Sequence, residues 1–206
     1  MSIVTLNNRA VRSVTTFGSA SVGGNMKFIR KLTASSSSTL SFVNGSSDVV
    51  LDSTYKEYVF TFKNIHPQTS DANFTVGFRD GSTDYDAVKT TSYARVYNAE
   101  AGSSNALEHQ DEDLDQSTDF HKLTTDLGAE NDEGCSGFMH FFNPANTTFA
   151  KHFISRTTSM HGQPASFSTF VAGYCNTTTA IDGVQFKFSS GTIDAGTIKL
   201  YGIKDS

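Results

Sequence analysis

The chain has 206 residues, 18% of them charged, with 17 Phe, three Pro and no Trp. That length suits a single domain with enough apolar mass for a sizeable core. A net charge of −5 sets a negative field over most of the surface, which argues against nucleic acid as the main partner.

The charge is uneven. Residues 1–47 carry Arg9, Arg12, Lys27, Arg30 and Lys31 and no acid, a formal +5, so the remainder holds −10. Residues 2–24 have short apolar touches (Ile3, Val4, Leu6, Val11, Val14) and end in a Gly/Ser-rich joint. Two readings stand: chance in a Ser/Thr-rich segment, or an extended arm, residues 1–25, that docks on an acidic partner through Arg9 and Arg12. No apolar run reaches membrane-span length and the first six residues lack a signal peptide's layout. The expectation is a soluble protein made in a cytoplasm, without membrane insertion.

From there the chain reads as strands. Residues 26–32 and 39–43 are candidates separated by a serine run, and Asn44-Gly45 marks a turn. Residues 57–63 alternate Tyr58, Phe60 and Phe62 against Val59, Thr61 and Lys63, with His66-Pro67 as the expected break. Residues 73–79 repeat the pattern with Phe74, Val76 and Phe78, and residues 91–97 follow with Tyr93, Arg95 and Tyr97 on one face. Residues 100–134 differ, being rich in Asp and Glu and poor in apolar residues. A short surface helix over 105–115 and a strand over 120–127 are expected there. Residues 137–142, 149–156 and 167–174 are further strands. At the end, Val184, Phe186 and Phe188, then Ile198 and Leu200, alternate on either side of a Gly-containing loop, which predicts an antiparallel hairpin. Roughly ten short strands, almost no helix and no fixed repeat predict an all-β fold: an antiparallel two-layer β-sandwich of jelly-roll type over residues 26–206.

Three blocks carry a resemblance: LDSTYKEYVFTFKNIHP (51–67), SGFMHFFNPANTTFAKHFIS (136–155), and FVAGYCNTTTAIDGVQFKF (170–188) with GTIKLYGIK (196–204). Together they resemble virion structural, tail-fibre-like proteins of marine tailed phages that infect cyanobacteria and pelagic bacteria. The likeness is weakest in residues 1–25 and 100–134. It implies a virion location, a fibre-like sandwich with host attachment as its task, and other virion proteins as partners. A host-surface glycan or other receptor is the implied target. The alternatives are a capsid-decorating or tail-structural protein without a receptor and, behind both, a glycan-degrading enzyme.

Searches for chemistry end in structural readings. The sequence has no GxSxG elbow, phosphate-binding loop or HExxH. Asp111, Asp113 and Asp115 open like a calcium loop, but Gln116 stands at the turn-glycine position and Lys122 where the bidentate Glu belongs. A solvated acidic loop is the better reading. If the 143–148 turn centres on Asn146, His140 and His152 face each other across a hairpin, yet no third ligand stands at legible spacing. Cys135 and Cys175 lie forty residues apart and are expected as reduced, partly buried thiols. No cofactor or catalytic residue is assigned. Tyr85, Tyr93 and Tyr97 are candidates to stack on a sugar, and Tyr85 joins Asp111, Asp113 and Asp115 as the candidate receptor-facing set.

Residues 137–154 are apolar on both faces: Phe138, Phe142 and Ile154 on one, Met139, Phe141, Phe149 and Phe153 on the other. A sandwich strand needs one apolar face. The second is expected to be covered by another copy of the chain in a homotrimer, or else by the 100–134 segment.

Overall fold

Twelve strands and no helix make up the described residues, 25–102, 104–109 and 111–205, of the computed structural model. In chain order they are β1 (Met26–Thr33), β2 (Leu40–Val43), β3 (Glu57–Pro67), β4 (Ala72–Arg79), β5 (Lys89–Ala99) and β6 (Asn105–His109). β7 (His121–Leu127), β8 (Cys135–Phe142), β9 (Lys151–His161), β10 (Ala165–Cys175), β11 (Gly183–Phe188) and β12 (Ile193–Ile203) follow. The proposed docking arm, with Arg9 and Arg12, lies outside the described residues.

The larger layer runs β1-β12-β3-β8-β9-β10-β5-β6, the smaller β7-β4-β11-β2, with antiparallel pairing between the strands. One pair, Leu127 with His161, joins β7 to β9 and brings the two layers toward a barrel. This is the all-β sandwich of jelly-roll kind that the alternation predicts.

The terminal hairpin is a correction. β11 and β12 do not pair with each other: β11 lies between β4 and β2, and β12 between β3 and β1. The chain crosses from layer to layer twice at one corner. There Gln68 N–H donates to Thr192 O at 3.0 Å, and Asn73 N–H to Ser189 Oγ at 2.9 Å. The β3–β4 and β11–β12 segments thus form one ribbon folded over the core, the device of a jelly roll. Gly191, at φ 67°, supplies the left-handed turn on one side of the corner. Alternation fixes which face of a strand is buried; it does not choose the strand's partner.

Other boundaries moved for local reasons. β3 runs through His66 to Pro67 because a bulge with Asn64 at φ 49° absorbs the irregularity before it, and proline at a strand's end costs no needed donor. The predicted helix over 105–115 is instead β6 followed by an irregular segment. Leu107, at the centre of β6, is 77% exposed, so one of the two leucines in 105–115 contributes nothing to a buried helical stripe. β9 starts at Lys151, after a turn in which Asn146 Oδ1 accepts from both Thr148 and Phe149 N–H.

The core is aromatic. Tyr58, Phe60, Phe62, Phe74, Val76, Phe78, Val184, Phe186, Phe188, Ile198 and Leu200 all belong to it, as the alternation predicts. Phe186 sits at its centre, with ring centroids of Phe62 at 5.2 Å, Phe60 at 5.4 Å, Phe74 at 5.8 Å and Phe42 at 6.3 Å. Each such ring contributes roughly 1.5–3 kcal/mol by burial, and its edge-to-face contacts add to that.

Towards β5 the interior changes character. The inward side chains of β9, β10 and β5 include Ser155, Thr157, Ser159, Thr169, Thr91 and Lys89, all buried, against Thr124, Thr125 and His121 of β7. Hydroxyl pairs hold this half: Thr124 Oγ1 to Ser159 Oγ at 2.8 Å, and Thr157 Oγ1 donating to Leu123 O at 2.8 Å. A buried polar group is tolerated when it finds such a partner.

Candidate functional site

The outward face of the larger layer gathers most of the exposed large apolar side chains. Register places Lys199, Thr61, Phe138, Arg156, Phe170 and Ala94 in one cross-strand row from β12 to β5. The adjacent row is Tyr201, Val59, His140, Ile154, Ala172 and Ser92. Phe138, Ile154 and Phe170 are 38%, 45% and 41% exposed. They line a groove of about 480 Å³ whose other walls include Ala94, Val171, Ala172 and Arg156, with Ser92 and Ser155. The Arg156 guanidinium lies over the Phe170 ring, 4.9 Å from its centroid, so even the one charged wall turns a flat face to the groove. None of the residues lining the groove comes from 100–134. That segment's β6 and residues 114–117 run beside β5, and its β7 lies in the smaller layer, so the described part of it is not the cover for this face.

The six residues predicted for an oligomer interface divide. Met139, Phe141 and Phe153 are fully buried in the chain's own core, where Phe153 and Phe141 pack on Phe78 at 4.9 and 5.0 Å. Phe138 and Phe142 point outward with Ile154, as the alternation requires. Phe149 lies on the β8–β9 connection, 69% exposed, not on the inner face assigned to it, because the strand begins two residues later. Phe170, Val96 and Leu107, exposed beside them, were not singled out by sequence. Phe170 was legible in principle: it is out of phase with Phe167, Thr169 and Val171, which point inward.

The candidate receptor set also divides. Asp111 and Asp115 are exposed; Asp113 is half-buried, its Oδ1 accepting the Tyr93 N–H at 2.6 Å. Tyr85 is half-buried in a cleft with Asp84, Asp86, Asp119 and Phe120. Tyr93 is 1% exposed, so it is removed from the sugar-stacking candidates; its hydroxyl lies 3.3 Å from Thr125 Oγ1.

The histidine pair does not form. β8 and β9 pair His140 with Ile154, because their connection centres on Thr147, one residue later than expected. His140 Nδ1 contacts Glu57 Oε1 at 2.5 Å, and His152 packs on Tyr174 at 5.8 Å. Cys135 and Cys175 are free thiols and fully buried, more so than expected; burial pushes Cys175 up to about 12.

A wider cleft of about 800 Å³, lined by Asn64, His66, Glu100, Asp132, Ser136 and Asp194 among others, opens at the other end of the sandwich. Some of its polar groups are bonded within the chain. Ser136 Oγ accepts Asn64 N–H at 3.0 Å, His66 Nε2 donates to Glu130 O at 2.9 Å, and Asp194 accepts from Ser36 Oγ at 2.9 Å. Among the described residues none covers the apolar outer face, and an exposed apolar patch of this kind is a candidate contact surface.

Comparison with known protein families, curated proteins and solved structures gives no match to this chain.

Proposed function

We propose that the chain is a non-catalytic β-sandwich module of a virus particle, assembled into a homo-oligomer through the outer face of its larger layer and used for attachment to a host surface. The observation that carries the assembly part is the Phe138–Ile154–Phe170 groove: a sheet face with apolar side chains on two adjacent cross-strand rows of three strands and no cover among the described residues. An antiparallel sandwich whose outer face only met water would alternate to polar residues there. The fibre-like, attachment part rests on the three sequence blocks and on the acidic 100–134 region, where Asp111 and Asp115 face solvent. A trimer is the form that the resemblance implies, and Arg9 and Arg12 remain the proposed contacts to acidic groups on the particle.

Light scattering on the purified full chain and on an Ile154→Asp, Phe170→Glu variant tests the assembly claim. The wild type is expected to be oligomeric, and the variant a folded monomer with an unchanged circular-dichroism spectrum. A monomeric wild type would remove the basis of the proposal. Locating the chain in a reconstructed particle tests the rest: copies over the capsid lattice, rather than on tail or fibres, would replace attachment by decoration.

A further inference from the structure

By alternation Tyr93, Arg95 and Tyr97 share the inward face of β5. β7 covers the first of them: Tyr93 is buried, with its hydroxyl 3.3 Å from Thr125 Oγ1. β7 then ends at Leu127, opposite His161, and Arg95 and Tyr97 are only half-buried. Here the inward face opens into a cleft of about 500 Å³, bordered by the β5–β6 and β9–β10 turns and lined by Arg95, Tyr97, Glu108, His161, Gln163 and Phe167 among others.

Its floor is the Phe167 ring, 5% exposed. The Arg95 guanidinium lies over that ring at 4.4 Å from the centroid, His161 packs on it at 4.8 Å, and Tyr97 meets it edge-on at 6.0 Å. Arg95 is fixed by Glu108 at 2.8 Å, Thr125 Oγ1 at 3.1 Å and Asp126 at 3.7 Å. With its one cation matched by carboxylates, the cleft does not select an anion. With the Glu108 carboxylate held by Arg95, it does not select a cation either.

The rim is built in advance of any ligand. Glu100 N–H donates to Pro164 O at 3.0 Å and so joins the two turns, while Ala99 N–H donates to Ser104 O and Gly102 N–H to Ala99 O, both at 3.0 Å. These backbone donors are spent, so an extended peptide would find no ladder to join there. Side-chain capacity remains. His161 Nδ1 accepts the Gln163 N–H at 2.8 Å, which puts the proton of the neutral ring on Nε2. Neither that N–H nor the Tyr97 hydroxyl has a hydrogen-bond partner among the described residues.

A ligand suited to this cleft is uncharged, has an apolar face to lay against an aromatic ring, and carries oxygens that both donate and accept. A sugar ring has all three: C–H groups on its face and neighbouring hydroxyls round its edge. We propose that the cleft binds one neutral hexose unit of a surface glycan, with Tyr97 as the stacking wall and His161 Nε2–H as a donor to a sugar hydroxyl. Its use on the particle rests on the attachment reading above, to which it adds a ligand class.

The test is NMR titration of the full chain with the methyl glycosides of glucose, galactose, mannose and N-acetylglucosamine, in the wild type, Tyr97→Phe and Tyr97→Ala. At least one glycoside is expected to bind with a dissociation constant on the order of 1 mM. It should shift the Tyr97 and His161 ring signals and leave those of His140 in place. Tyr97→Phe keeps the ring and should stay within about threefold of the wild type, whereas Tyr97→Ala should weaken binding about tenfold. No shift with any of the four glycosides overturns the proposal, as does unchanged binding in a folded Tyr97→Ala chain. Should Tyr97→Ala fail to fold, the wild-type shift map decides: shifts confined to the cleft sustain the site, and shifts elsewhere reject it. Tighter binding of methyl glucuronide than of methyl glucoside would reassign the cleft to anions and overturn the neutral sugar. Shifts from a proline-rich peptide in place of the sugars would reassign it to a peptide and overturn the sugar equally. A chain that binds glycoside in this cleft but sits on the capsid lattice keeps the site and loses attachment, so the two failures are told apart.

Discussion

The ring of Phe120 occupies the place a side chain on Gly77 would take: a Cβ built there would stand 2.5 Å from the ring's Cζ. Phe120 lies just before β7 and lays its ring on the outer face of β4, and Lys187 of β11 caps that ring with its ammonium 4.1 Å from the centroid. The glycine in the middle of a strand, normally a weakness, is what lets the acidic segment end in an anchor. Gly77→Ala is expected to cost about 1–3 kcal/mol by overpacking. In a Phe120→Ala background the same change should cost much less, so a double-mutant cycle in denaturant reads the contact directly. Equal costs in both backgrounds would mean that Phe120 is not seated on Gly77.

Phe186 and Phe170 make a second contrast. Phe186, fully buried among four rings, should lose about 3–5 kcal/mol on truncation to Ala. Phe170, 41% exposed on the outer face, should change monomer stability by no more than about 0.5 kcal/mol. Chemical unfolding at a concentration where the chain is monomeric separates them. A large loss at Phe170 would make that ring part of the fold instead of a surface held for a partner.

Acid sensitivity follows from His121. Burial, and then the charge of Lys89, hold its imidazole down at about 4 against an ordinary 6.5. Between those values the unfolded chain binds the proton and the folded chain resists it, so stability is full above 6.5 and falls as pH drops towards 4. The loss is on the order of 3 kcal/mol at the low end. Denaturant midpoints across this range should slope for the wild type and flatten for His121→Asn.

The Arg79–Asp182 fork, with Nε–Oδ1 at 2.8 Å and the second arm at 2.9 Å, ties the end of β4 to the approach to β11. Its side chains are 18% and 34% exposed, so solvent screens much of its worth. Asp182→Asn is expected to cost about 0.5–1 kcal/mol at low ionic strength and less in high salt. A cost independent of salt would show that geometry, not charge, is what the fork supplies.

The sequence by itself determined the strands and their inner faces. Tyr58–Phe60–Phe62, Phe74–Val76–Phe78 and Val184–Phe186–Phe188 could be read as core because a strand's side chains alternate every residue and only one face was apolar. It also exposed the anomaly in residues 137–154, where both faces are apolar. Tertiary structure alone decided partnership. The same alternation in β11 and β12 fits a hairpin or a corner between layers, and only the competing edges of β3 and β4 choose the corner. A one-residue shift in the centre of the β8–β9 connection moved His152 away from His140 and Phe149 off the inner face, a distinction no local pattern carries. The buried Lys89 and His121 were illegible for a related reason. A polar residue is made internal by what crosses it from elsewhere in the chain, here the 111–119 segment and β7, and nothing in its own neighbourhood announces that.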